Sequence, residues 1–130
     1  MTVIDASCML ELLLRGPVCR AIEERLLAHD GALSAPHLLD VEVSQVLRRY
    51  WLGGQLLEER GREAIADLED FPLERYPHWA LLPRIWKLRD NVTAYDAAYV
   101  ALAEALDAPL ITCDKKLARS TGHAATIEVF

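Results

Sequence analysis

A length of 130 residues fits one compact domain, and a hydrophobic share of 52% supplies a full core without disulfide or metal staples. The net charge of −6 argues against binding nucleic acid through a broad basic surface, unless the acids gather round a divalent cation that reverses the local sign. No apolar run reaches the roughly 18–20 residues of a membrane helix, and Met1–Asp5 has no basic region ahead of an apolar one, so a cytoplasmic protein is expected.

Thr2-Val3-Ile4 reads as a short strand ending at Asp5. Ala6–Leu14 reads as a helix that Gly16-Pro17 interrupts, and Val18–His29 as a second one. Ala32–Ala35 is a short strand stopped by Pro36. From Leu38 to Leu52, the apolar residues Leu39, Val43, Val46, Leu47 and Tyr50 mark a helical face, which Gly53-Gly54 ends. Gln55–Asp70 is a further helix and Phe71–Tyr76 a strand. Trp79–Leu88 is helical, with a kink or late start at Pro83, and Thr93–Leu106 is an Ala-rich helix. Pro109–Cys113 is a strand, Asp114 opens a short helical turn, and Thr126–Phe130 is a final strand. There is no internal repeat or linker. Short apolar strands alternating with helices give an α/β fold: one domain, a mostly parallel sheet of about five strands, and helices on both faces.

In open parallel sheets, sites form beyond the carboxyl ends of the strands. Asp5 and Asp114 both lie where a strand becomes a helix. Each is also a good N-cap, a role that needs no metal. Asp96 ends Thr93-Ala94-Tyr95-Asp96, a capping-box pattern in which the carboxylate reaches back to the Thr93 amide. Glu42 stands at the border between the buried and polar faces of its helix, where a solvated glutamate is the bland reading. Asp40 reads as a helix N-terminal acid favoured by the dipole. The conjunction is more specific than its parts, because it brings four acids to one end of one sheet. Hard oxygen ligands of this kind suit Mg²⁺ or Mn²⁺.

Other chemistries lack their residues. Cys8, Cys19 and Cys113 form no zinc pattern and read as reduced thiols, and the four histidines fall at no ligand spacing. Gly-x-Ser-x-Gly, Walker A and GxGxxG motifs are absent. A phosphoacceptor signalling domain needs an adjacent acidic pair after the first strand, where Asp5 stands alone. An Asp-x-Asp phosphatase fails because position 7 is Ser.

Val3-Ile4-Asp5-Ala6-Ser7, Leu38-Leu39-Asp40-Val41-Glu42-Val43, the run from Thr93 to Ala103 and Leu110–Leu117 stand in an order and spacing that resembles the PIN-domain nucleases. Within that family the similarity is to VapC-type toxins of toxin–antitoxin pairs. Tyr95-Asp96-Ala97 followed by Thr112-x-Asp114 is the most specific part. The resemblance implies a Mg²⁺- or Mn²⁺-dependent endoribonuclease. It implies that Asp5, Asp96 and Asp114 hold the metal, directly or through water. Glu42 would bind through water or act as general base, and Ser7 and Thr112 would support the cluster by hydrogen bonds. A homodimer and a VapB-type antitoxin with a basic inhibitory segment are implied as partners, with RNA as substrate. Arg15, Arg48, Arg49, Lys115, Lys116 and Arg119 are candidate RNA contacts, and Trp51, Trp79 and Trp86 candidate groove aromatics. Cys113 departs from the polar residue common at its position. The alternative is a PIN-like module that binds RNA or protein without cutting.

Overall fold

The computed structural model describes residues 1–130. Five strands, β1 (Thr2–Ile4), β2 (Leu33–Pro36), β3 (Leu73–Tyr76), β4 (Leu110–Thr112) and β5 (Ile127–Val129), form one sheet in the order β3-β2-β1-β4-β5. Every neighbouring pair is parallel. The helices are α1 (Ala6–Leu14), α2 (Cys19–Leu27), α3 (Leu38–Leu52), α4 (Glu58–Asp70), α5 (Leu82–Lys87), α6 (Ala94–Leu106) and α7 (Lys115–Ala118).

Parallel crossovers are right-handed, and this dictates the layers. The chain steps from β1 to β2 to β3 in one direction, which puts α1 to α4 on one face of the sheet. It then returns past β1 to β4 and β5, which puts α5 to α7 on the other. The packing agrees: α1 contacts α2, α3 and α4, whereas α6 packs on α5 and on β1 and β2. Between β1 and β4 the winding reverses, and this switch point is where the sheet opens a crevice at its carboxyl edge. The core runs through both layers, with Ile4, Met9, Leu39, Tyr99, Val100 and Ile111 fully buried. Each such side chain contributes roughly 1.5–3 kcal/mol by leaving water.

The expected elements are all present, with local differences at their ends. Pro36 belongs to β2 as its last residue, because the His37 amide makes the next ladder bond, to the Tyr76 carbonyl at 2.8 Å. Helix α4 starts at Glu58 instead of Gln55. The Gln55 amide is spent on the Tyr50 carbonyl at 2.8 Å, closing the turn in which Gly54 takes φ 74°. The segment after Pro77 begins as a 3-10 turn, Trp79–Leu81, and α5 follows with Pro83 in its first turn, where no amide donor is needed. No helix is long and apolar enough to cross a membrane.

Candidate active site

The switch point places Asp5 at the carboxyl end of β1 and Thr112 at that of β4. Register pairs Ile4 with Ile111, so Asp5 and Thr112 stand side by side. The Asp5 carboxylate accepts from the Thr112 hydroxyl on Oδ2 and from the Ser7 hydroxyl on Oδ1, both at 2.5 Å. Oδ1 also accepts from the Cys8 amide at 3.1 Å, so Asp5 is the N-cap of α1 as well. The two hydroxyls are fixed in turn: Ser7 Oγ accepts from the Cys113 amide at 2.8 Å, and Thr112 Oγ1 accepts from the Asp114 amide at 2.9 Å. These bonds stitch the β1–α1 corner to the β4–α7 corner.

Asp114 caps α7, accepting from the Lys116 amide at 2.8 Å. In α6 the Thr93 hydroxyl accepts from the Asp96 amide at 3.1 Å, which is one half of the capping box. The return bond to the Thr93 amide does not form. Glu42, one turn into α3, accepts from the Tyr99 hydroxyl on Oε1 at 2.5 Å. Asp40 does more than the dipole reading gave it, because it takes Arg75 in a two-pronged ion pair at 2.8 and 3.1 Å that ties α3 to β3.

The acids are close enough to perturb one another. Burial raises the pKa of Asp5 above the ordinary carboxylate range, against the hydrogen bonds from Ser7 and Thr112. Burial likewise raises Asp96, and the negative charges of Asp114 and Asp5 add to it. Glu42 is raised by burial first, with Asp96 and Asp5 contributing and the Tyr99 bond opposing. None of the four acids takes part in an ion pair.

Such a donor set fits a divalent cation. Four carboxylates share one edge, partly desolvated, and the nearby charge of Lys116 offsets the repulsion on Asp96 only in part, without forming an ion pair. No three His, Cys, Asp or Glu side chains close on one point, so the acids form a charged rim and not a finished cage. Mg²⁺ tolerates such a rim, since it keeps several waters and takes only one or two carboxylates from the protein.

Two clefts flank the rim. One, of 610 Å³, is mostly apolar, with Ser7, Glu42, Tyr95 and Cys113 in its wall. The other, of 620 Å³, is polar and bounded by Asp96 and Lys116. A third cleft, of 560 Å³, lies around Met1, Pro109 and Thr126, at the opposite ends of the strands and away from the acids.

Sequence reasoning did not find Tyr99, which belongs to this site through Glu42. The available signal was a tyrosine one turn beyond Asp96 on a helix rich in Ala. Nor did it find that Cys8 and Cys113 bring their sulfurs to 3.6 Å beside Asp5, with burial raising both thiols. Trp51, Trp79 and Trp86 are all exposed, and none is core.

The chain matches the family model described as PIN domain over residues 2–122. Over 128 residues it is 44% identical to Ribonuclease VapC1 of Mycobacterium tuberculosis, covering 98% of this chain and 96% of that protein. Ribonuclease VapC12 of the same organism is 39% identical over 129 residues, covering 99% and 98%. Among solved structures, VapBC2 from Rickettsia felis, bound to a DNA fragment from its promoter, has a similar fold. It aligns with a TM-score of 0.69 and 14% identity over 98% of this chain and 97% of that one.

Proposed function

This chain belongs to the PIN-domain family, among its VapC ribonucleases, and on that premise we propose that it is an endoribonuclease whose site is Asp5, Glu42, Asp96 and Asp114. The observation that carries the assignment is the gathering of four carboxylates, none in an ion pair, along the carboxyl edge of a parallel sheet beside its switch point.

Asp5, Asp96 and Asp114 are the residues that would hold Mg²⁺ or Mn²⁺, directly or through water. When bound, the cation polarises the phosphoryl group, lowers the pKa of water and stabilises the leaving oxygen. Ser7 and Thr112 keep the Asp5 carboxylate from rotating. Glu42 is the general base: with Oε1 occupied by Tyr99, Oε2 is left to take a proton from the attacking water. The raised pKa of Glu42 brings it nearer to neutral pH, where a base is most effective. The water oxygen then bonds to phosphorus as the bond from phosphorus to the leaving nucleoside oxygen breaks. Tyr99 is a positioning residue for Glu42.

The partner is a VapB-type antitoxin. The fold shared with VapBC2 supports this, and the net charge of −6 suits a basic inhibitory segment. A homodimer and a cytoplasmic location complete the reading, the latter in keeping with three unbridged cysteines.

Incubating the purified protein with total cellular RNA tests the proposal. Discrete fragments with Mg²⁺ or Mn²⁺ that vanish with EDTA are expected. Cleavage unaffected by chelator rejects the metal, and no cleavage of any RNA by folded, antitoxin-free protein rejects the enzyme.

A further inference from the structure

RNA presents a phosphate every nucleotide, and a chain of net charge −6 must still hold those phosphates beside four acids. Half of the 14 Lys and Arg side chains are engaged in ion pairs and have little charge to offer. Arg15, one of the sequence candidates, is among them, bound to Glu23 at 3.0 Å. Of the unpaired cations, Arg89, Lys116 and Arg119 line the single 620 Å³ cleft that Asp96 borders. All three are exposed. The only other acid in that wall is Asp90. The apolar cleft on the opposite side of the rim offers one unpaired cation, Arg49.

The rest of the cleft suits the same ligand. Thr93, Ser120 and Thr121 contribute hydroxyls, the neutral donors that commonly accompany Arg and Lys on phosphate and sugar oxygens. Arg89 is held in place: its Nη1 donates to the Trp86 carbonyl at 2.9 Å, and its guanidinium lies 4.6 Å over the Trp86 ring. An arginine fixed in this way loses little freedom when it binds a phosphate.

We propose that the cleft of Arg89, Lys116 and Arg119 is the subsite that binds the RNA backbone phosphates flanking the cleaved bond, on the Asp96 side of the carboxylate rim. The proposal rests on the ribonuclease reading for its ligand. It selects Lys116 and Arg119 from the sequence candidates, adds Arg89, which sequence did not single out, and leaves Arg15, Arg48 and Lys115 without a role in RNA binding. It also gives the strand a path across the site, between a basic cleft on the Asp96 side and an apolar one on the Glu42 side.

The test is anisotropy of a dye-labelled, random-sequence single-stranded RNA of about 20 nucleotides, titrated in EDTA over a salt series, with cleavage of total RNA in Mg²⁺ measured in parallel. The paired variant Arg89→Ala with Arg119→Ala is compared with Arg48→Ala with Arg62→Ala, which removes the same charge from the α3–α4 groove. Circular dichroism confirms folding, and Arg89→Lys with Arg119→Lys restores the charge. The cleft pair is expected to weaken binding about tenfold and to reduce the salt slope by about 1.4, as two lost phosphate contacts require. The control pair should change binding less than about twofold, and the lysine pair should recover only part of the loss, since Lys keeps the charge but not the guanidinium fixed on Trp86. Equal weakening by both alanine pairs, or none by the cleft pair, overturns the subsite even if the protein cuts RNA. Cleft-dependent binding without cutting upholds the subsite and rejects the ribonuclease reading. A wild-type protein that binds no RNA overturns the subsite.

Discussion

Tyr99 of α6 donates its hydroxyl to Glu42 of α3 across 2.5 Å, a bond between side chains 57 positions apart in the chain. It ties together helices from the two faces of the sheet at its carboxyl edge, and it holds one glutamate oxygen so that the other is free. Tyr99→Phe keeps the buried ring and removes only the donor. The expected cost in stability is about 1 kcal/mol. The maximal cleavage rate should fall by roughly tenfold, since a general base contributes about 100-fold or more and loses its orientation, not its presence. Urea unfolding and single-turnover cleavage measure the two. An unchanged cleavage rate contradicts a positioning role for Tyr99.

Asp5 carries a stability cost through its burial. Burial raises its pKa, so the folded protein binds this proton more tightly than the unfolded chain does. Ionised Asp5 therefore destabilises the fold above the raised value, and that penalty disappears as the pH falls through it. Asp5→Asn should raise the melting temperature at neutral pH by a few degrees while abolishing cleavage. Thermal melts over a pH series check this, and the gap between variant and wild type should close towards acid.

Arg75 joins α3 to β3 through Asp40 and also donates to the Leu68 carbonyl at 2.9 Å. The pair is partly solvated, which limits its value. Arg75→Ala should cost about 1 kcal/mol of unfolding free energy. Cleavage per folded molecule should not change, because the pair is not part of the carboxylate rim.

At the other edge of the molecule, Glu104 is held below the ordinary carboxylate range by the Arg84 guanidinium, and Glu128 by that of Arg25. A lowered folded pKa means stability that is present above the ordinary glutamate value near 4.5 and is lost as the pH falls through the depressed one. Glu104→Gln and Glu128→Gln should each cost about 0.5–1 kcal/mol at neutral pH. The difference from wild type should shrink at acid pH, as the pH falls from the ordinary glutamate range through the depressed values. Denaturant melts at neutral and acid pH test the sign.

The elements were legible because their periods are strong. Leu39, Val43, Val46 and Leu47 announce α3, and three short apolar runs followed by Asp, Pro or a helix announce β1, β2 and β4. The placement of Asp5 and Asp114 was legible for a related reason: each sits where a strand becomes a helix, and such corners of a parallel sheet meet at one edge, while Asp96 stood out through the Thr93 cap of α6. What the sequence withheld depends on how distant helices cross. The Glu42 partner, the 3.6 Å approach of Cys8 to Cys113 and the Asp40–Arg75 pair join residues with no periodic relation. Arg89 was hidden for a different reason, since an exposed arginine gains meaning only from the cleft around it.

The central claim is that the four acids constitute one metal-holding cleavage site. Its most direct measurement is calorimetric titration of Mg²⁺ and Mn²⁺ into the wild-type protein and into Asp5→Asn, Asp96→Asn and Asp114→Asn, with RNA cleavage followed on the same samples. The account predicts metal uptake by the wild type, and its loss together with cleavage in all three folded variants. Metal uptake or cleavage that survives in Asp5→Asn would contradict it.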